Sequence, residues 1–253
     1  MLQNSTILIT GGGSGIGESL ALQLADYNKI VICGRSEEKL KKVALKHSNI
    51  SYEVTDISDY NSIEKLFSSC REKGIVFNVL FNNAGVVELW DITNKKLTSA
   101  EIFEKINTNL SGAIAITQQF ISQANHSVEN LIVNNTSEIA FMPVSVLLLY
   151  STSKSGLSVF TRALRVQLKH TKFRVVELLT PGVDTDMPRR LNNTGKLITS
   201  DDFARDVIKN IRKGKTEYAV GVNIYLLKFL QKFLPNTGLH LIDKLSRKQL
   251  SLV

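Results

Sequence analysis

The sequence predicts an α/β fold in a single domain, built around a doubly wound parallel sheet. Two observations lead to this prediction. Short apolar runs rich in β-branched residues alternate with helical segments along most of the 253-residue chain, and helix-length connections are what parallel strands need. A glycine-rich turn also follows the first apolar run and opens the first helical segment, which is typical of a nucleotide-binding unit.

Composition sets the broad class of the protein. The chain is 43% hydrophobic and 21% charged, as expected for an ordinary globular protein. The sequence has neither a signal-peptide pattern nor an apolar run long enough to span a membrane, so we expect a cytoplasmic protein. Cys33 and Cys70 fit no metal-binding spacing and are expected to be reduced, inert thiols. We expect no metal site.

The net charge of +8 is unevenly distributed, and residues 223–253 carry half of it. No nucleic-acid-binding motif accompanies the basic residues, and aromatic residues are not interleaved with them. We therefore expect no nucleic-acid partner. An anionic cofactor, an anionic substrate or a membrane surface would account for the charge.

Strand-like and helix-like segments follow one another in order. The predicted strands are Ser5–Thr10, Lys29–Cys33, Ile50–Val54, Val76–Phe81, Asn130–Asn134, Phe173–Leu179 and Glu217–Val220. The predicted helices are Ile16–Tyr27, Glu37–Lys46, Asn61–Lys73, Ala100–Gln123, Tyr150–Lys169 and a segment from Ser200 through Arg212. In such a sheet, ligands bind beyond the carboxyl ends of the strands. The candidate residues that follow the first six strands are Gly11, Arg35, Asp56, Asn83, Ser137 and Pro181.

The first strand is followed by Thr10-Gly11-Gly12-Gly13-Ser14-Gly15-Ile16-Gly17. Strand, glycine loop and helix in this order predict a pyrophosphate site at a helix N-terminus. Gly11 and Gly13 would permit the tight turn, Gly15 would let the backbone approach the phosphate, and Gly17 would allow close contact between helix and strand. Ser14 and Ile16 lie in the same turn.

The end of the second strand bears on which dinucleotide binds. An acidic residue there would bind the ribose 2′-hydroxyl of NAD, but the chain has Arg35. A guanidinium can pair with a 2′-phosphate, so we predict that NADP(H) is preferred. Ser14 in the glycine-rich turn is not basic, so it supplies no second cation for the 2′-phosphate.

Tyr150 and Lys154 are one helical turn apart and can share a face. Adding hydride to a carbonyl leaves an alkoxide that needs a proton, and a free tyrosine, with a pKa of about 10, exchanges protons poorly near neutrality. A neighbouring lysine cation would stabilise the phenolate. Tyr150 is therefore the predicted acid in reduction and base in oxidation.

Together these motifs resemble those of the classical short-chain dehydrogenases/reductases, especially bacterial members of undefined substrate. The resemblance runs from Ser5 to about Met187 and includes the glycine spacing, Asn82-Asn83-Ala84-Gly85 and a serine 13 residues before the tyrosine. It implies a Rossmann-like fold and a catalytic set of Asn109, Ser137, Tyr150 and Lys154. Ser137 would polarise the substrate oxygen, Lys154 would bind the nicotinamide ribose, and Asn109 would hold a water that passes protons toward Lys154.

The resemblance also implies further cofactor contacts. In Val54-Thr55-Asp56-Ile57, the aspartate would meet the adenine amine, although a role in capping the next helix is compatible with this. Asn83 and Ala84 would lie beside the cofactor ribose. Val183 and Thr185 would meet the nicotinamide carboxamide, although Pro181-Gly182 is displaced by one position from the family pattern.

Residues 1–222 are expected to form the catalytic domain, with a substrate loop at about 186–199. The apolar stretch between Ser137 and Tyr150 suggests a hydrophobic substrate wall, a core segment or a subunit contact. Residues 223–253 form an amphipathic tail, Ile224–Leu234 and Leu239–Leu250, broken at Pro235–Gly238. The tail could be a lid, a subunit interface or a membrane-surface anchor, and packing on protein is the favoured interpretation.

These observations predict an NADPH-dependent oxidoreductase acting on a carbonyl or secondary alcohol of a hydrophobic small molecule, as a homodimer or homotetramer. Two alternatives stay open. One is an NADP(H)-binding regulatory or structural relative with little turnover. The other is a membrane-surface reductase of a lipid pathway, which rests on the tail alone.

Overall fold

A parallel sheet with helices on both faces forms the body of the molecule. The computed structural model describes residues 2–187, 191, 197–219 and 224–250. The strands are β1 (Thr6–Thr10), β2 (Lys29–Gly34), β3 (Ile50–Val54), β4 (Val79–Asn82), β5 (Asn130–Asn135), β6 (Phe173–Leu179), β7 (Val183–Asp184), β8 (Ile198–Thr199) and β9 (Glu217–Ala219). The helices are α1 (Gly15–Leu24), α2 (Glu37–Ala44), α3 (Tyr60–Glu72), α4 (Ser99–Ile106), α5 (Gly112–Gln123), α6 (Leu148–Gln167), α7 (Ser200–Arg212), α8 (Ile224–Phe233) and α9 (Pro235–Gln249).

Seven of the described strands form one sheet in the order β3-β2-β1-β4-β5-β6-β9, and every pair in it is parallel. The order reverses at β1, where successive crossovers change direction. Brought together at one edge, the carboxyl ends of β1 and β4 leave a crevice between them, which is the usual place for a ligand in this type of sheet. The predicted fold class is confirmed.

The core lies in two layers because successive strand residues point to opposite faces. Ile7 and Ile9 of β1 pack with α1, α2 and α7, whereas Leu8 packs with α3, α5 and α6. Both faces of the central strands are buried, which explains their nearly continuous apolar sequences. The core therefore fixes each strand end, and with it the residues that follow.

The fourth strand was predicted to begin at Val76, and this is wrong. Val76 is exposed, and the strand begins at Val79. The Asn78 side-chain carbonyl accepts a 2.8 Å hydrogen bond from the Thr6 backbone N–H. A side chain thus takes the place of a strand-to-strand bond where β1 begins, and pairing of β4 with β1 starts only at Val79.

The long helix predicted over 100–123 is interrupted. A single π-helical turn, Asn107–Ser111, joins α4 to α5, and the two-stranded β7-β8 pairing was not predicted. Local π-turns are frequent at functional sites because they re-aim side chains. This one carries Asn109.

The tail forms two separate helices as predicted, but the break between them is at Leu234 and not over Pro235–Gly238. Pro235 is the first residue of α9, a position where its missing N–H costs nothing and its fixed φ suits a helix. Gly238 lies in the same helix, where an added Cβ would stand 2.9 Å from both Leu230 Cβ and Met142 Cε. The glycine therefore lets α9 pack closely on α8 and on the Phe141–Met142 segment.

The tail packs on the main body through one side of each helix. Leu227 and Leu230 of α8 are buried against Phe141, Met142 and Leu179. The other side presents large apolar residues at roughly half exposure: Leu226, Phe229, Phe233, Leu241 and Leu245. The inner side of α8 and α9 therefore packs on the main body, whereas the outer side is about half exposed.

Candidate active site

A cavity of about 520 Å³ lies at the carboxyl edge of the sheet, within the size range of small-molecule sites. The six residues predicted from the strand ends all line it: Gly11, Arg35, Asp56, Asn83, Ser137 and Pro181. Most of the other sequence-predicted residues line it too: Gly13, Ser14, Gly15, Ile16, Ile57, Ala84, Tyr150, Lys154, Val183 and Thr185. Gly17 and Asn109 lie behind its wall.

The N-terminus of α1 opens into this cavity without a side-chain cap. Ser14 occupies the N-cap position, yet its hydroxyl makes no capping hydrogen bond. By contrast, α2, α3, α4 and α7 are capped by their own Ser36, Asp59, Thr98 and Thr199. The first amides of a helix need a partner, and their dipole favours an anion. The α1 terminus is therefore suited to hold a phosphate group.

Glycines give the turn its shape. Gly11 and Gly15 have positive φ angles of 67° and 56°, which other residues rarely adopt. A Cβ on Gly17 would stand 2.3 Å from the Gly11 carbonyl oxygen, so Gly17 allows the close contact that was predicted for it. Gly13 does not have a positive φ, so the left-handed positions of the turn are Gly11 and Gly15.

Arg35 lies at the β2 end of the cavity, half exposed. Its guanidinium pairs with Glu104 of α4 at 2.8 Å. Lys39 lines the same end and pairs with Asp186 at 3.2 Å. Sequence reasoning missed Lys39, since a lysine within the charged α2 segment gives no separate signal. Two cations thus border this end of the cavity.

Asp56 and Asn83 are held by local hydrogen bonds. The Asp56 carboxylate accepts bonds from the backbone N–H and hydroxyl of Ser58, while Asp59 caps α3. The capping role considered for Asp56 therefore belongs to Asp59. The Asn83 side-chain amide donates to the Thr10 carbonyl at 3.1 Å, which ties the end of β4 to the glycine turn.

Ser137, Tyr150 and Lys154 meet near the middle of the cavity. Ser137 follows β5, and its hydroxyl donates to the Thr180 carbonyl at 3.2 Å and shares a hydrogen bond with the Tyr150 hydroxyl. Lys154 is 3% exposed, and its Nζ donates to the Asn135 carbonyl at 2.7 Å. That Nζ lies 5.6 Å from the centroid of the Tyr150 ring. The phenol, hydroxyl and ammonium predicted to act together are thus brought together.

Burial shifts the acidity of these groups. It raises the pKa of Tyr150 to about 12, partly offset by the Ser137 hydrogen bond, and lowers the pKa of Lys154 to about 8. At neutral pH the phenol is therefore protonated and most of the lysine is charged. A protonated phenol beside a cation can give a proton to an alkoxide.

Asn109 is buried and does not face the cavity. Its side-chain carbonyl accepts from the Val86 N–H and its amide donates to the Val86 carbonyl, both at 2.8 Å. A Cβ added to Gly85 would stand 3.3 Å from Asn109 Oδ1 and 3.6 Å from Lys154 Nζ. Asn109 therefore fixes the backbone beside Lys154.

Val183 and Thr185 line the cavity beside the N-terminus of α1. Val183 is buried in β7, and Thr185 Cγ2 would lie 2.8 Å from a Cβ built on Gly15. Of the predicted substrate loop, residues 188–190 and 192–196 lie outside the described part of the chain. Although Pro181-Gly182 is displaced by one position from the family pattern, Val183 and Thr185 still line the cavity.

The far wall of the cavity is largely apolar and was only partly predicted. It includes Ile139, Val144 and Leu147 from the segment between Ser137 and Tyr150, together with Ser246 of α9 and Leu250 just beyond it. The tail thus forms part of the cavity, as a lid would. Apart from Ser246, the polar group on this wall is the carboxyl group of Glu138, which sequence reasoning missed.

Within the described ranges, no group of three or more His, Cys, Asp or Glu side chains could hold a metal ion. Over those same residues, no helix combines the length and apolarity needed to cross a bilayer.

Comparison with known proteins identifies the family. The family model described as short chain dehydrogenase matches residues 5–196. This chain belongs to the short-chain dehydrogenase family. A relative from Bacillus subtilis, named uncharacterized oxidoreductase DltE, is 33% identical over 224 residues, which cover 85% of this chain and 88% of the relative.

Solved structures agree on the fold. An alcohol dehydrogenase from the archaeon Thermococcus sibiricus, complexed with 5-hydroxy-NADP, superimposes with a TM-score of 0.76 at 22% identity, covering 86% of this chain and 96% of that one. A 3-ketoacyl-(acyl-carrier-protein) reductase from Brucella melitensis, complexed with NADH, has a TM-score of 0.76 at 24% identity and covers 87% and 98%. The protein is thus a short-chain dehydrogenase, an oxidoreductase that transfers a hydride to or from a carbonyl or alcohol group.

Proposed function

We propose that this short-chain dehydrogenase is an NADPH-dependent reductase of an apolar carbonyl compound. The observation that carries the proposal is the convergence of Ser137, Tyr150 and Lys154 on a cavity whose other end is the uncapped N-terminus of α1. A protein that only bound a nucleotide would need neither the serine nor the tyrosine. The apolar far wall supports a hydrophobic substrate.

The residues present fit a dinucleotide. The free amides of α1 suit a pyrophosphate, while Arg35 and Lys39 are placed to meet a 2′-phosphate. Asp56 and Ile57 would contact the adenine, Asn83 and Ala84 the ribose, and Val183 and Thr185 the nicotinamide carboxamide. The bound cofactor supplies the hydride.

The chain's own groups would then handle the oxygen and the proton. The Ser137 hydroxyl would turn from the Thr180 carbonyl to the substrate oxygen and stabilise the charge that develops there. Tyr150 would give its proton to that oxygen. Lys154 would bind the nicotinamide ribose and hold positive charge beside the phenol, and Asn109, by fixing Val86, would keep room for a water on the path to Lys154.

A panel of ketones and secondary alcohols, assayed with NADPH or NADP⁺ against NADH or NAD⁺, tests this function directly. The absorbance of the reduced nicotinamide reports turnover. We expect ketone-dependent oxidation of NADPH, faster at equal concentration than that of NADH. No turnover on any carbonyl or alcohol with either cofactor would favour a binding protein instead.

The pH profile should report Lys154. Burial lowers its pKa to about 8, so its charge is present below that pH and is lost as the pH rises through it. Tyr150, with a pKa of about 12, stays protonated over the same range. We expect kcat/KM for ketone reduction to fall as the pH rises through about 8. A profile that stays level well above this pH would contradict a role for the charge of Lys154.

We also propose a homodimer or homotetramer that uses the outer side of α8 and α9. The half-exposed Leu226, Phe229 and Phe233 lie on one side of α8, and a continuous apolar surface of this kind usually marks a contact. Replacing Phe229 and Phe233 by serine should reduce the molar mass measured by light scattering without changing the fold. If the mass is unchanged and the original protein binds anionic vesicles, the membrane-surface alternative is supported instead.

A further inference from the structure

Glu138 lies where the active-site cavity meets a second, smaller cavity. It is the first residue of the short 3-10 turn Glu138–Ala140 that follows Ser137. The smaller cavity has a volume of about 160 Å³. Its walls are Glu138, Ile139, Met142, Leu227, Ile242, Leu245 and Ser246. Glu138, Ile139 and Ser246 also line the larger cavity, so the two adjoin.

One oxygen of the Glu138 carboxyl group, Oε2, is buried without a hydrogen-bond partner among the described residues. The other residues of the small cavity are apolar apart from Ser246. Burial alone raises the pKa of Glu138 to about 7. A buried carboxyl oxygen without a partner is costly, and no hydrogen bond from the described residues offsets that cost at Oε2.

The position of the carboxyl points to the substrate rather than to the cofactor. Ser137 and Glu138 are consecutive, with Cα atoms about 3.8 Å apart, and the charge of Glu138 acts on Tyr150. The phosphate end of the cavity lies across the site, at the N-terminus of α1. A ligand whose carbonyl sits at Ser137 and Tyr150 would place its neighbouring atoms beside Glu138.

We propose that Glu138 and the small cavity form a recognition subsite for a hydrogen-bond donor, a hydroxyl or an ammonium group, carried by an otherwise apolar ketone. The inference rests on the proposed function and adds a substrate class to it. A carboxylate accepts hydrogen bonds and binds cations, so it would pair with such a donor. The apolar walls would bury the carbon skeleton between the donor and the carbonyl.

A competing role is that Glu138 only tunes the acidity of Tyr150. The two roles differ in which substrates a variant affects. Loss of a tuning charge would change the turnover of every ketone by a similar factor. Loss of a recognition group would change only the ketones that carry the donor.

Three ketones of similar size separate these roles: 4-methylcyclohexanone, 4-hydroxycyclohexanone and 4-aminocyclohexanone. We expect the original enzyme to have the higher kcat/KM for the two donor-bearing ketones, and Glu138→Leu to reduce that preference by roughly tenfold or more, in line with one hydrogen bond to a charged group. Glu138→Gln keeps an acceptor, so it should retain the hydroxyl preference and lose the ammonium preference. Glu129→Leu, at an exposed glutamate outside both cavities, is the matched control.

An unchanged preference in Glu138→Leu, or an equal change for all three ketones, would overturn the subsite. Calorimetric binding of the same ketones to the NADP⁺-loaded protein gives the comparison without turnover. An inactive protein would therefore refute the proposed function and still test the subsite. If neither kcat/KM nor calorimetric binding favours the donor-bearing ketones, the proposed subsite is rejected.

Discussion

Replacing Tyr150 by phenylalanine is expected to lower kcat for ketone reduction by about 10²- to 10⁴-fold, the usual contribution of a positioned proton donor. The substitution removes one oxygen and leaves the ring beside Lys154. Because the phosphate and adenosine contacts proposed for the cofactor lie elsewhere in the cavity, its affinity should be nearly unchanged. Steady-state rates and the change in protein fluorescence on NADPH binding would measure the two quantities separately.

Tyr27→Phe provides the control, since Tyr27 is exposed and lies outside the cavity. Its kinetics should match those of the original protein. Near-normal turnover by Tyr150→Phe would refute the assignment of the acid. Loss of NADPH binding in that variant would instead indicate that the hydroxyl holds the site together through Ser137.

Arg35→Asp should raise the KM for NADPH by roughly 10- to 100-fold, as expected when a charge-assisted contact is lost and a like charge is introduced. The KM for NADH should change little or fall, because an acid at this position can bind the ribose 2′-hydroxyl. Initial rates with each cofactor at a saturating ketone concentration give both constants.

The Arg35–Glu104 pair provides a companion variant. Glu104 holds the guanidinium at 2.8 Å, so a 2′-phosphate has to compete with it. Glu104→Gln should therefore lower the KM for NADPH modestly, since an exposed pair contributes little. Equal effects of Arg35→Asp on both cofactors would show that the residue does not read the 2′-phosphate.

Much of the fold follows from patterns that act locally. Alternating apolar runs and helical spacing locate the strands and helices, and the parallel topology then brings Gly11, Asn83 and Ser137 to one edge of the sheet. The predicted single-domain α/β architecture is confirmed for this reason. The family assignment rests on the same motifs.

The errors arise where a long-range contact decides local structure. Asn78 delays the start of β4 by bonding to β1. The second tail helix includes residues 235–238 because Gly238 lets its first turn pack closely on Leu230 of α8. The π-turn at Asn107–Ser111 depends on close packing: a Cβ on Gly112 would lie 2.1 Å from the Ile57 carbonyl. None of these contacts produces a periodic residue pattern from which it could be predicted.

The site residues that directly follow strands could be predicted from the sequence. Those that reach the cavity because of how helices pack could not. Lys39 and Glu138 sit in ordinary sequence contexts, a charged helix and the residue after a serine. Only the packing of α8 and α9 shows that Glu138 faces an apolar enclosure. Which polar groups lie unpaired in a cavity is therefore a property of the assembled tertiary structure.

The contribution of Ser246 and Leu250 to the cavity wall has a practical bearing on how the enzyme should be produced. A fluorescent label or bulky tag attached beside Leu250 would stand next to the region where we propose that the ketone binds. It would narrow the entrance and change the selectivity. A label placed near the start of β1, at the opposite edge of the sheet, would leave kinetic comparisons among variants interpretable.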